Sequence, residues 1–170
     1  MIPQSRSPLL LFGLISGLLL SSAGCGQQED QRTFEREAFS SPSEFTETQN
    51  GVDMISRDDD DWRVAPFFQG MVRVSEAAFP NPVLSSETVS INLSVDGTEY
   101  VNGLETAVYH GDGILVPLDM DERSPLPVGQ VTIRFGASEL GRFDDPVGLH
   151  RVIVFDRNGQ VITYGDIQVE

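Results

Sequence analysis

The sequence predicts an all-β domain folded as an antiparallel sandwich, and three observations carry that expectation. Apolar and polar residues alternate in Val89-Ser90-Ile91-Asn92-Leu93-Ser94-Val95 and again in Val131-Thr132-Ile133-Arg134-Phe135. Such alternation puts one face of a strand in a core and the other in water. The turn dipeptides Asp96-Gly97, Asp112-Gly113 and Asn158-Gly159 fall between apolar runs, and Pro80, Pro82, Pro117, Pro125, Pro127 and Pro146 break any long helix. About seven to nine short strands punctuated in this way fit an immunoglobulin-like sandwich. The chain shows no repeat of roughly 20 to 50 residues, which excludes solenoids and propellers.

The first element is not part of that sandwich. Arg6 precedes the apolar run Leu9 to Leu20, and Ser21-Ser22-Ala23-Gly24-Cys25 follows it. A charged region, an apolar region and a small-residue cleavage zone in this order read as a signal-peptide helix over residues 1–24. The apolar stretch is short for a span of the hydrocarbon, which takes roughly 20 apolar residues. Ser22-Ala23-Gly24-Cys25 resembles the lipobox of bacterial lipoproteins, with Ser22 where that motif usually carries Leu. The resemblance implies cleavage before Cys25 and acylation of its thiol, so that the lipid bilayer is a partner through Cys25. Stable anchoring needs more than one acyl chain, which a lipoprotein has. Cys25 is the only cysteine, which excludes an intrachain disulfide and any multi-cysteine metal site. The acidic pair Glu29-Asp30 resembles the surface-export signal of some bacterial lipoproteins. The implied location is the cell envelope, at the outer membrane, facing the periplasm or the surface.

Residues 25–61 are polar, with Phe34, Phe39 and Phe45 at spacings that fit neither a helix face nor a strand face. They are expected to form a flexible, extended tether that docks in places. The run Asp58 to Asp61 marks its end and reads as a solvated charge run, with cation binding as the alternative. A chain beginning near Asp61 is accordingly expected to fold.

The sandwich domain is expected over residues 62–170. Trp62 to Phe68 is read as a segment closing one edge of the sandwich. Strands follow at Val72-Arg73-Val74, Val89 to Val95, Leu104 to Tyr109, Ile114 to Leu118 and Val131 to Phe135. The continuous run Val152 to Phe155 suits a strand buried on both faces. Asn158-Gly159 joins it to Val161–Tyr164 in a tight hairpin.

Phe79-Pro80-Asn81-Pro82 with the strand after it, and the hairpin Val152 to Val161 with its Asp156-Arg157-Asn158-Gly159 turn, resemble the C-terminal sorting domains of type IX secretion. That resemblance implies a β-sandwich. The chain ends in Gln168-Val169-Glu170 where that family commonly carries a basic tail.

All 11 basic residues are Arg, against 26 Asp and Glu, for a formal net charge of −15. A Lys-free acidic surface resembles proteins of salt-adapted bacteria. Its field repels polyanions, so nucleic acid is not an expected partner.

Chemistry is thinly supplied. A hydrolytic triad needs a base, and only His110 and His150 are available; no Ser lies in a Gly-x-Ser-x-Gly elbow. No catalytic residues and no cofactor are assigned. Calcium takes six to eight oxygens, and Asp119, Asp121, Asp144 and Asp145 are the candidates, without an EF-hand pattern. Trp62, Phe67, Phe68, Tyr100, Tyr109 and Tyr164 are the pool for a glycan platform. The reading is a membrane-anchored envelope protein that is not an enzyme, whose sandwich binds or assembles with another envelope protein. A calcium- or glycan-binding module is the alternative.

Overall fold

The computed structural model describes residues 23–49, 53–96, 101–143 and 145–170. Its elements are α1 (Ala23–Ala38), β1 (Glu47–Gln49), β2 (Asp53–Ser56), a 3-10 turn (Pro66–Phe68), β3 (Val72–Phe79), β4 (Thr88–Val95), β5 (Leu104–Tyr109), β6 (Leu115–Asp121), β7 (Gly129–Gly136), a second 3-10 turn (Ala137–Leu140), β8 (Gly148–Phe155) and β9 (Val161–Val169). One sheet has the order β3-β4-β7 and a second β6-β5-β8-β9, all pairs antiparallel, with β1-β2 a small hairpin apart. The expected antiparallel sandwich is therefore present.

The alternating strands bury alternate residues. In β4, Val89, Ile91, Leu93 and Val95 are buried, and in β7 Val131, Ile133 and Phe135 are. In β8 and β9 burial is continuous from Arg151 to Phe155 and from Val161 to Ile167. The second covering layer is α1, which lies on the outer face of the four-stranded sheet. Its Phe34 ring packs 5.0 Å from Tyr164, and Phe39, just past its end, packs 5.4 Å from Tyr109 and 6.2 Å from Phe155.

The expected tether thus docks, but along part of its length as a helix and not extended. Phe34 and Ala38 are buried in the common core. Thr46 and Asp61 are buried too, so the acidic run ends inside the protein and not as a wholly solvated stretch. A domain boundary at Asp61 would cut through this packing.

Trp62 to Phe68 closes a sheet edge as expected. Trp62 N–H donates to the Tyr164 carbonyl at 2.7 Å, Ala65 N–H donates to Ile162 at 2.8 Å, and Val64 bridges Thr163. The Trp62 indole lies so close over Gly165 that a Cβ there would come within 2.2 Å of it.

The expected hairpin of the last two strands is present, with one positive φ in its turn. Gly159 N–H donates to Asp156 and only Gly159 has positive φ, +79°, which is a type I turn followed by a left-handed glycine. The Asp156 carboxylate selects it by accepting the N–H groups of Asn158 and Gln160 at 3.0 and 2.9 Å.

Candidate interaction surface

The two outer strands of the four-stranded sheet present different surfaces. Along β9, residues 62–65 pair with the first half, and Val83 N–H donates to Gln168 while Glu170 N–H donates back to Val83. Asn81 joins the two coverings: its amide donates to the carbonyls of Thr46 and Asp166 at 2.9 Å, and its oxygen accepts Gln168 N–H.

A buried polar cluster locks this edge to the N-terminal arm. Arg151 and Asp166, opposite each other in the β8–β9 register, form an ion pair with 5% and 0% of their side-chain surfaces exposed. Arg151 Nη1 also donates to the Glu37 carbonyl at 2.9 Å, at the end of α1 where unpaired carbonyls favour a cation. Asp61 accepts Thr46 N–H at 2.7 Å and Asp166 N–H at 2.8 Å. Burial pushes the Asp61 carboxyl up to about 7 against those two donors, with Asp166 and Asp58 adding to the rise.

Among the described residues, β6 pairs with β5 alone. Ile114, Leu115, Val116 and Met120 are exposed large apolar side chains. Leu115 stands opposite Tyr109 in the ladder, beside Phe39, so strand edge and outer sheet face form one apolar strip. His110 N–H donates to the Ile114 carbonyl, which by antiparallel alternation turns Val116 toward β5 and Leu115 and Pro117 outward. Pro117 therefore sits where its missing N–H costs no ladder bond. Phe143 and Val147, 87% and 61% exposed, are further apolar side chains in the loop before β8. Phe143 has φ of 59°, a strained conformation for a bulky residue, and the Arg142 guanidinium stacks on its ring.

The remaining candidates fall as follows. Cys25 lies in the first turn of α1. Asp119 and Asp121 share one crevice, but Asp119 accepts the N–H groups of Met120 and Arg134, and Asp121 is held by Arg123 at 2.9 Å. Asp144 lies outside the described residues, and Asp145 accepts Val147 N–H in its own loop. Among the described residues no three His, Cys, Asp or Glu side chains gather as metal ligands.

His110 and His150 share a crevice with Ser41, Tyr109 and Leu149, with no carboxylate among the lining found in the described residues. Burial, with the neighbouring His150 and Arg142 charges, lowers the His110 pKa. Of the aromatics, Trp62, Phe68 and Tyr164 are buried, Phe67 is exposed against Phe68, Tyr109 is half-buried, and Tyr100 lies outside the described residues. The Arg151–Asp166 pair was missed in sequence, although counting outward from the Asn158-Gly159 turn sets those two charges opposite each other.

No family model matches the chain and no curated protein does. Among solved structures it is similar to a Jonesia denitrificans lytic polysaccharide monooxygenase, at 20% identity over 51% of this chain and 54% of that one, with a TM-score of 0.32. It is also similar to a Niemann-Pick type C2 protein from Japanese carpenter ant, at 12% identity over 52% and 78% of the two chains, with a TM-score of 0.31. The chain thus spans about half the length of the first. The sandwich is defined by its own strand order and register.

Proposed function

We propose that this protein is a lipid-anchored component of the cell envelope, at the outer membrane, whose sandwich acts by binding another envelope protein and not by catalysis. The observation that carries the reading is the apolar edge of β6, which has no second ladder partner among the described residues, set against the covered β9 edge on the opposite side of the sheet. An unpaired strand edge with apolar side chains is a template for strand addition. The acidic side chains around it, Asp112, Asp119 and Glu122, favour a partner whose extended segment is apolar with basic flanks. Cys25, by the lipobox resemblance, supplies the anchor.

The test is cross-linking in intact cells, detergent extraction and mass spectrometry of the copurifying proteins. One envelope protein is expected in near-equal amount with the wild type and is lost with Leu115→Lys, which places a charge on the edge. A partner retained at the same level by Leu115→Lys overturns the edge assignment. Recovery of lipid alone overturns the assembly role. Detergent-phase partitioning checks the anchor: Cys25→Ala is expected in the aqueous phase, and its retention in detergent overturns acylation.

A further inference from the structure

We infer that α1, docked as it is, fixes the sandwich on the membrane with one end down: the end bearing the Asp156–Gln160 turn faces the lipid headgroups, and the end bearing His110–Ile114 and Phe143–Val147 points away. This rests on the lipid anchor at Cys25 proposed above. The direction of the helix is set by contacts at three successive levels of β9. Near its start, Gln31 Oε1 accepts Phe67 N–H at 3.1 Å while its amide faces the Val161 carbonyl at 3.5 Å. Midway, Phe34 packs on Tyr164. At its end, Glu37 takes the Arg151 guanidinium that is paired with Asp166.

The helix therefore runs alongside β9 in the same direction, and its first turn lies toward the end of the sheet that carries the β8–β9 turn. From Gln31 back to Cys25 is about 9 Å of helix at 1.5 Å per residue. An acylated Cys25 at headgroup depth then holds the Asp156–Gln160 turn within about 10 Å of the bilayer. A wholly extended 25–61 tether would instead let the domain stand off by roughly 120 Å in any orientation. The loops on the same end are tied to that turn, since Arg157 N–H donates to the Asn102 carbonyl and Leu126 N–H to Val101. At the opposite end, His110 and His150 line one crevice and His150 Nε2 lies 2.7 Å from the Pro146 carbonyl, which places the 110–114 turn beside the 145–147 loop. The apolar surface at Ile114, Phe143 and Val147 is thus presented to whatever lies across from the membrane.

Cys25 is the only native cysteine, and acylation consumes its thiol, so a second cysteine reports its own position. The experiment reconstitutes the acylated protein, as Arg157→Cys and as Val147→Cys, into phosphatidylcholine–phosphatidylglycerol vesicles and times its reaction with a membrane-impermeant maleimide. Both residues are exposed. Arg157→Cys is expected to react several-fold more slowly on vesicles than after detergent release, with Val147→Cys unchanged. Equal rates at both positions, with the protein still on the vesicles, overturn the fixed orientation and leave the anchor standing. Protein that stays in the aqueous phase overturns the anchor and this inference with it.

Discussion

At one edge of the four-stranded sheet, every stretch of β9 meets residues 62–65, 81–85 or the buried Arg151–Asp166–Asp61 cluster. At the other edge, β6 has no second ladder partner among the described residues; β7 comes near its far end, where Arg134 N–H donates to Asp119 at 3.2 Å. The apolar content of the two edges does not explain this difference, since β6 is itself largely apolar. What differs is polar matching: Arg151, Asp166, Asp61 and Asn81 pair with one another and also with Glu37, Ser43 and Thr46 of the N-terminal arm. A buried charge pair is costly to break, because the survivor is left uncompensated. Coverage of β9 is in this way specified, whereas among the described residues β6 has no comparable set of buried polar partners.

The largest expected effect comes from removing that specification. Arg151→Met leaves Asp166 buried without its partner and takes the capping charge from the end of α1. A loss of about 3–5 kcal/mol in unfolding free energy is expected, measured by urea denaturation. A loss under about 1 kcal/mol would show that the arm is held by Phe34 and the backbone bonds alone, making the two edges less different than the contacts imply.

Asp61 sharpens the comparison through pH. Its folded pKa of about 7 lies above the ordinary 3.8, so between those values the folded protein holds a proton that the unfolded chain has released. The stability that Asp61 contributes is present below that window and is lost as pH rises toward 7. His110 works oppositely: its lowered folded pKa makes stability increase as pH rises toward the ordinary histidine value of 6.5. The Asp61 effect is therefore read as the difference between wild type and Asp61→Asn. Thermal melts from pH 4.5 to 7.5 are expected to show the variant weaker throughout, because its amide faces an N–H donor. Its deficit should shrink as pH rises, and a constant deficit would mean that Asp61 is ionised across the whole range.

The same contrast marks what could be read from sequence. Strands β4, β5, β7 and β8 were legible because a period of two, or a continuous apolar run between turns, has few other uses. The docked helix was not legible, because its buried face consists of Gln31, Phe34 and Ala38. One aromatic, one methyl and one amide at helical spacing make too thin a stripe to stand out in a polar segment. Asp61 was hidden in a run of four aspartates of which the other three are not buried. Nothing local separates a buried carboxylate from its solvated neighbours; only the backbone donors of Thr46 and Asp166 do. The β6 edge was visible as a short apolar strand, but which strand would lack a neighbour depended on strand order.

The smallest expected effect falls on that open edge. Leu115 is 39% exposed and has a ladder partner, Tyr109, on one side only. Lys at this position keeps an aliphatic stem over Tyr109 while its ammonium reaches water. Leu115→Lys is accordingly expected to change unfolding stability by less than about 0.5 kcal/mol, as surface substitutions do. Urea denaturation of the variant checks this. A loss above about 1 kcal/mol would place Leu115 in the core. The edge would then be a packed part of the fold, and loss of a partner in the variant would report misfolding and not a blocked surface. A near-neutral result, set beside the large effect at Arg151, is what separates an edge kept for binding from an edge closed for stability.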